Sequence, residues 1–415
     1  MTQCIMIGCD LHEDTMLLKI AQDRQTPETR TWKNTLRERV RMIADLKRRS
    51  KAVGGARVIF AYEASGAGFG LYDQLTAAGI ECCVLAPTKI PKSSRQKREK
   101  TDEKDALQLL ELVRAYVLAG NPLPKVWIPD PQTRDDREVV RMRLDVAVKI
   151  TAVKTQVKSL LKRNCVTRPG GLGKGWTRAF RAWLKVLLSD PPDQTCSAFH
   201  YGARHALASL VRQLEFLEQE QGHLDKAVAA LVCEPRYLTA VQELHKLLGV
   251  GALTAMVFLS EIGDLTRFNN RRQIAAYLGL CPKSFESGRS NDRKGHITRQ
   301  GSARVRRVLC QAAWSHVRHD PREKAAYERI KAKNPKKAKI AVVASMRRLA
   351  IRMWHRGRQA RELPCIGWNS PSVLPGPTVG FSKASSMCPK GEQRKAKSPG
   401  ETERLGKRMT ASRGH

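Results

Sequence analysis

Cys4-Ile5-Met6-Ile7-Gly8-Cys9-Asp10 is an apolar run closed by a carboxylate. A strand with one wet face alternates apolar and polar residues; a run with no charge until its end predicts a strand covered on both faces. Val58-Ile59-Phe60-Ala61-Tyr62-Glu63 repeats the pattern and again finishes on an acid. Two such central strands predict Asp10 and Glu63 brought together at one sheet edge.

Working outward, Asp14 to Ala21 reads as a second strand after a short turn, and Thr29 to Asn34 as a third. Leu36 to Lys51 is a charged amphipathic helix with Leu36, Val40, Ile43 and Leu46 as its apolar stripe. Gly54-Gly55 ends it before the strand at 57–62, and a helix through Leu71, Leu75 and Ala78 follows. Gly66, Gly68 and Gly70 are punctuation and not a GxGxxG nucleotide loop, because the third glycine comes one position early. Glu81 to Ala86 is a further strand and Lys89 to Lys100 a basic loop. Thr101 then caps a helix from Asp102 to Leu118, with Ala106, Leu109, Leu110 and Val113 on its buried side. The order β-β-β-α-β-α-β-α is the RNase H-like arrangement of an α/β domain.

Asp102 and Asp105 lie three apart at the start of that helix, so their side chains face the same way. Acids in a first turn are favoured by the helix dipole alone. Together with Asp10 and Glu63 at strand ends, however, they form the oxygen donor set that Mg²⁺ or Mn²⁺ takes. Two such ions about 4 Å apart clamp the attacking and leaving oxygens of a phosphodiester.

The substrate class follows from charge. Lys plus Arg number 75 against 39 Asp plus Glu, a net +36 over 415 residues. Such an excess is the footprint of a polyphosphate partner. A basic structural protein would explain the charge but not the acids, which repel phosphate unless metal bridges them. No run of 18 apolar residues exists and the first residues lack a leader pattern, so neither a membrane span nor a signal peptide is expected. The eleven cysteines include no CxxC pair, the usage of a reducing cytosol without structural zinc. The expected location is the cytosol, on the nucleoid.

From Thr133 to Cys233 the pattern is helical and highly charged, with Val139, Leu144, Val148, Leu160 and Leu161 among its apolar positions. Long charged helix pairs make coiled-coil spacers or dimer arms, which predicts a homo-oligomer. The basic loop from Arg168 to Gly175 lacks Walker A spacing. Leu247-Leu248-Gly249-Val250-Gly251-Ala252 resembles the hairpin of a helix-hairpin-helix, in which glycine backbone approaches a phosphate. Pro282 opens a polar stretch, and Phe285 to Ser302 reads as a loop, either functional or disordered, whose Gly, Ser and basic residues suit phosphate contact, continued by Arg304, Arg306 and Arg307. Residues 366–415 are basic and poor in apolar side chains, the composition of a disordered tail.

These motifs in this order resemble the DEDD insertion-sequence transposases. The spaced acids, the Lys-Thr-Asp102-Glu-Lys-Asp105-Ala block, Gly249-Val-Gly251, Ala276-Tyr-Leu-Gly-Leu280, Ser287-Gly288 and Ile297-Thr-Arg-Gln-Gly301 carry the resemblance over about residues 3–357. It implies a RuvC-like catalytic domain at 1–130, a helical coiled-coil region at 131–240, a mostly α-helical transposase domain at 241–365 and the basic tail. It implies further that Asp10, Glu63, Asp102 and Asp105 are the metal tetrad and that Ser287 attacks the DNA phosphate. Halves of the site from different subunits, and a structured bridge RNA pairing with donor and target DNA, follow from the resemblance alone.

A serine hydroxyl is a weak nucleophile that needs a base, a metal or a neighbouring cation. Arg289, Arg293, Lys294 and Arg299 are placed to neutralise the phosphate, and Arg304 and Arg307 extend the charge. Ser290 and Ser302 compete with Ser287, and Ser302 equally suits a helix cap before Ala303. His12, Glu13, Asp14 and His296 are further polar residues without an assigned role. Two other readings stay open: a RuvC-type structure-specific nuclease that uses water, and a nucleic-acid-binding protein with structural acids.

Overall fold

Gly8 marks the closest approach of a helix to the sheet in the first unit of the molecule. It sits in β1 (Cys4–Leu11), the middle strand of a five-stranded sheet that also holds β2 (Thr15–Gln22), β3 (Glu28–Lys33), β4 (Arg57–Glu63) and β5 (Glu81–Leu85). The order is β3-β2-β1-β4-β5. β1 pairs antiparallel with β2 and parallel with β4, and β4 runs parallel to β5. The computed structural model describes residues 3–91, 101–173, 175–189, 201–284, 294–333 and 335–362. It divides after Asp130 into two compact units.

Strand alternation sorts the first unit into two cores. Ile5, Ile7, Cys9 and Leu11 of β1 face the core shared with Met42 and Leu46 of α1 (Leu36–Ala52) and Leu71 and Leu75 of α2 (Gly70–Ala77). Cys4 and Met6 of β1, with Ile59 and Ala61 of β4, face Leu109, Leu110 and Val113 of α3 (Asp102–Ala119). Both faces of β1 and β4 are therefore covered, which is why their sequences are unbroken apolar runs. Edge strand β3 is mostly exposed and polar, which discourages further strand pairing.

One expected stripe is displaced. Leu36 and Val40 are 69% and 58% exposed, whereas Leu46 of that stripe is buried together with Met42, and Ile43 packs against the same core. Val40 lies six residues before Leu46, about 120° around a helix of 3.6 residues per turn. The pair could not share a face.

In the second unit, α4 (Pro131–Arg163) and α6 (Tyr201–Cys233) pack antiparallel. Val140 and Leu144 meet Val228 and Val232, Ile150 shares a cluster with Leu214, and Val157 with Leu207. Bidentate Arg143–Asp225 hydrogen bonds (2.6 and 3.2 Å) and a Lys154–Glu218 pair (3.0 Å) lace the two together. α5 (Arg178–Ser189) covers one end through Phe180 and Leu184. Val148, read as part of the apolar set, is exposed.

Val140 and Leu144 also belong to a larger core built with α7 (Pro235–His245), α8 (Ala252–Ile262), α9 (Arg271–Tyr277), α10 (Ala303–His319), α11 (Pro321–Lys333) and α12 (Lys339–Glu362). Within the stretch expected to be all loop, β6 (Pro282–Ser284) pairs antiparallel with β7 (Lys294–Ile297). Among the described residues, no helix is long and apolar enough to cross a membrane.

Candidate metal centre

In the parallel pair β1/β4, Cys9 lies beside Tyr62, so Asp10 and Glu63 are the next positions along. Met6 and Gly8 of β1 and Ile59 and Ala61 of β4 face α3. By alternation Asp10 and Glu63 take that same side, at the carboxyl ends of their strands.

The amino end of α3 meets this edge. Thr101 caps the helix, its hydroxyl accepting from Lys104 N at 3.4 Å. Glu103 is drawn toward β2, where Lys19 Nζ lies 3.2 Å from Glu103 Oε2 and 2.6 Å from Thr29 Oγ1. Asp102, on another face of the same turn, reaches the neighbourhood of Asp10; Asp105 acts on Asp10 through its charge, and neither it nor Glu63 is in the group of donor atoms found together there.

Among the described residues, Asp10, His12 and Asp102 form a group whose donor atoms lie within 4.8 Å of one another. His12 Nε2 stands 3.0 Å from Asp10 Oδ2 and 3.5 Å from Asp102 Oδ1. The side chains of Asp10, His12 and Asp102 are 17%, 46% and 59% exposed, so the group opens to solvent. Burial pushes the Asp10 carboxyl above its ordinary range against the opposing pull of His12, and the charges of Asp102 and Asp105 push it further up. Crowded carboxylates of this kind are relieved by a divalent cation, and their oxygens suit Mg²⁺ or Mn²⁺.

The other expected residues fall differently. Ser287, Ser290, Arg289 and Arg293 lie outside the described residues, and Lys294 opens β7. Arg299 is exposed, with a positive φ of 57°. Arg304 is bound to Asp145 of α4 at 3.0 Å, and Arg307, itself exposed, donates to the Leu144 carbonyl at 3.3 Å. Arg306 donates to the carbonyls of Gln300 and Gly301 at 2.9 and 3.0 Å. The charge on α10 thus also anchors the helix, because cations there meet carbonyls and an acid of distant segments. Ser302 caps α10, accepting from Val305 N at 3.5 Å.

The two hairpin glycines separate. Gly249 has φ +83°, and a Cβ on it would come 2.7 Å from the Ala312 carbonyl oxygen and 2.9 Å from Ser315 Cβ. It is a close-packing point of the α7–α8 turn on α10 on the side a Cβ would occupy, while the residue itself is exposed. Gly251 caps α8, and a Cβ there would meet nothing within 4 Å.

His12 is the member of this group that sequence reasoning left without a role. The only signal was its place two residues after Asp10 at a strand end; its second partner, Asp102, is far along the chain.

Comparison with known proteins bears on the same segments. A family model described as "Transposase IS116/IS110/IS902 family" matches residues 241–328, and a DEDD-type model named for IS110 and described as "Transposase" matches residues 7–166. The chain is 28% identical over 384 residues to the putative transposase y4qE of Sinorhizobium fredii, covering 86% of this chain and 89% of that one. It is 30% identical over 335 residues to the putative transposase y4rJ of the same organism, covering 75% and 80%. The transposase for insertion sequence element IS1533 of Leptospira borgpetersenii is 23% identical over 323 residues, covering 76% and 86%.

Proposed function

The chain belongs to the IS116/IS110/IS902 family of transposases, and from that premise we propose that it excises and inserts its own insertion sequence by metal- and serine-dependent cleavage and rejoining of DNA strands, guided by an element-encoded bridge RNA. The observation that carries the catalytic part is the convergence of Asp10 and Asp102 at the end of the central strands. In this reading the first unit is an RNase H-like domain of the RuvC type. Residues 131–240 are a helical arm that joins subunits, 241–365 the transposase domain with its helix-hairpin-helix-like element, and 366–415 a basic tail.

Asp10, Glu63, Asp102 and Asp105 would hold Mg²⁺ or Mn²⁺. When bound, the ion would polarise the scissile phosphate and offset the charge that develops on it. Ser287 Oγ attacks phosphorus, losing its proton to a carboxylate of the site. The bond from phosphorus to the leaving strand oxygen breaks, and that oxygen takes up a proton as a free hydroxyl. Arg289, Arg293, Lys294 and Arg299 neutralise the phosphate, and Gly251 and Arg307 face the backbone of the nucleic acid. An incoming strand hydroxyl reverses the step and releases serine. One phosphoester is made for each one broken, so rejoining needs no ATP.

The deciding experiment stops the reaction on an element-end substrate with its flanking RNA and looks for a denaturant-resistant protein–DNA adduct. The adduct should map to Ser287 and vanish in Ser287→Ala. A nuclease that hydrolyses at the same acids is the second reading, favoured by an acid cluster that needs no serine. It would give free 3′-hydroxyl and 5′-phosphate ends and no adduct.

A further inference from the structure

His12 brings a nitrogen to a group of carboxylates. Its Nε2 lies 3.0 Å from Asp10 Oδ2 and 3.5 Å from Asp102 Oδ1, facing the space those two oxygens share. The turn that carries it is held at several points. His12 N donates to Thr15 O at 2.9 Å. Asn34 Nδ2 donates to the carbonyls of His12 and Glu13 at 2.6 and 3.1 Å. Arg39 Nε in turn donates to Asn34 Oδ1 at 2.7 Å. The backbone of His12 is therefore fixed by β2, by the segment after β3 and by α1, and its ring is carried to the acids by a rigid turn.

A neutral imidazole has one donor and one acceptor nitrogen. With its proton on Nε2, the ring donates to Asp10. With the proton moved through solvent to Nδ1, the Nε2 lone pair points into the same space and the ring stays neutral.

We propose that His12 Nε2 is a ligand of the metal centre beside Asp10 and Asp102, making the donor set mixed nitrogen and oxygen; this rests on the metal reading given above. Mg²⁺ is a hard ion that takes oxygen ligands and keeps its waters, whereas transition ions accept imidazole more readily. His12 therefore shifts the preference of the centre from Mg²⁺ toward Mn²⁺. A histidine that only held the two carboxylates together would leave that preference alone.

The test uses the full chain with Mn²⁺ as the probe. Pulsed electron paramagnetic resonance of the bound ion should show nitrogen coupling in the wild type, and that coupling should be absent in His12→Ala and His12→Gln. Glutamine keeps an amide donor for Asp10 but offers no ring nitrogen. Mn²⁺ affinity should fall at least about tenfold in both variants, and Mg²⁺ affinity, measured by competition, should fall less. The half-exposed side chain makes both substitutions tolerable to the fold, which circular dichroism melts would verify. Bound Mn²⁺ without nitrogen coupling, or an affinity restored by glutamine, would overturn the ligand role and leave His12 as a positioning residue. A wild type that binds no Mn²⁺ and matches Asp10→Asn in this respect would overturn the metal reading and this inference together.

Discussion

Gly8 of β1 lies directly under the backbone of Ala106 in α3: a Cβ on Gly8 would stand 2.2 Å from the Ala106 carbonyl oxygen and 2.3 Å from Leu110 N. No side chain fits there, and the obstacle is helix backbone that cannot rotate away. The contact fixes how closely α3 rides over the sheet, and hence how near Asp102 and Asp105 come to Asp10, one pleat further along the strand.

Gly8→Ala should therefore act on the site as well as on the fold. Overpacking of this kind costs about 1–3 kcal/mol, to be read as a lower midpoint in denaturant titration. Mn²⁺ affinity should drop in the same variant although no ligand has been removed. Unchanged affinity would mean that α3 reaches its place independently of Gly8.

Asp10→Asn separates stability from metal binding. The carboxyl of Asp10 is pushed above its ordinary range by burial and by its acidic neighbours. Its protonated form is therefore favoured in the fold, and that stabilisation is present at acid pH and lost as pH rises through the folded-state pKa. At neutral pH the metal-free variant should melt at or above the wild type. Mg²⁺ or Mn²⁺ should raise the melting temperature of the wild type and not of the variant. A clear metal-free loss in Asp10→Asn would show that its hydrogen bond to His12 outweighs the repulsion.

In the second unit, Glu261 and Glu323 are buried acids paired with arginines. Glu261 accepts from Arg141 at 2.7 and 3.2 Å, and Glu323 from Arg348 Nε at 2.9 Å. Burial would raise both carboxyls, but the hydrogen bonds and charges of Arg141 and Arg137, and of Arg348 and Arg352, hold them below the ordinary value of 4.5. Their contribution is present above that pH and lost as pH falls through the depressed folded-state values. Acid melts should therefore show stability falling below about that value, less steeply in Glu261→Gln. Arg348→Leu should cost about 2–3 kcal/mol at neutral pH, below the figure for a fully buried pair because the arginine is partly exposed.

Gly251 and Gly249 allow the hairpin to be tested without confusing packing with binding. Gly249→Ala should destabilise the chain, given its positive φ and an Ala312 carbonyl oxygen 2.7 Å from where the new methyl carbon would stand. Gly251→Ala should cost no more than about 1 kcal/mol, the loss of a glycine N-cap, since nothing lies within 4 Å of the added methyl. If backbone at Gly251 approaches phosphate, DNA affinity should nevertheless fall in that variant. Equal affinity would remove the hairpin from the interface.

Nucleic-acid affinity should fall steeply with salt. Arg299→Ala, which alters an exposed side chain, should reduce the slope of log K against log salt by about one. Arg304→Ala should mainly lower stability, because its Asp145 partner is left behind. A full-sized salt effect from Arg304 and none from Arg299 would reverse the two assignments.

The order of strands and helices in the first unit was legible because each element carries its own periodicity. β1 and β4 read as unbroken apolar runs since both faces are covered, and α3 announces itself through the Thr101 cap and a regular buried stripe. Charge and composition pointed to a polyanionic partner in the same local way. The role expected for Ser287 came through resemblance alone, as polar residues with little apolar content have no periodicity to read, and the residue lies outside the described ones.

What tertiary structure alone decided depends on residues far apart in the chain. His12 meets Asp102 because a pinned turn after β1 and the first turn of α3 reach one edge. Arg304 finds Asp145, and Gly249 finds the backbone of α10, only when the second core closes. Leu36 and Val40 look as apolar as Met42 and Leu46, yet only the latter pair meets the sheet. Hydropathy and spacing define which faces a segment offers; which of them is covered, and by what, is set by the packing of every other segment against it.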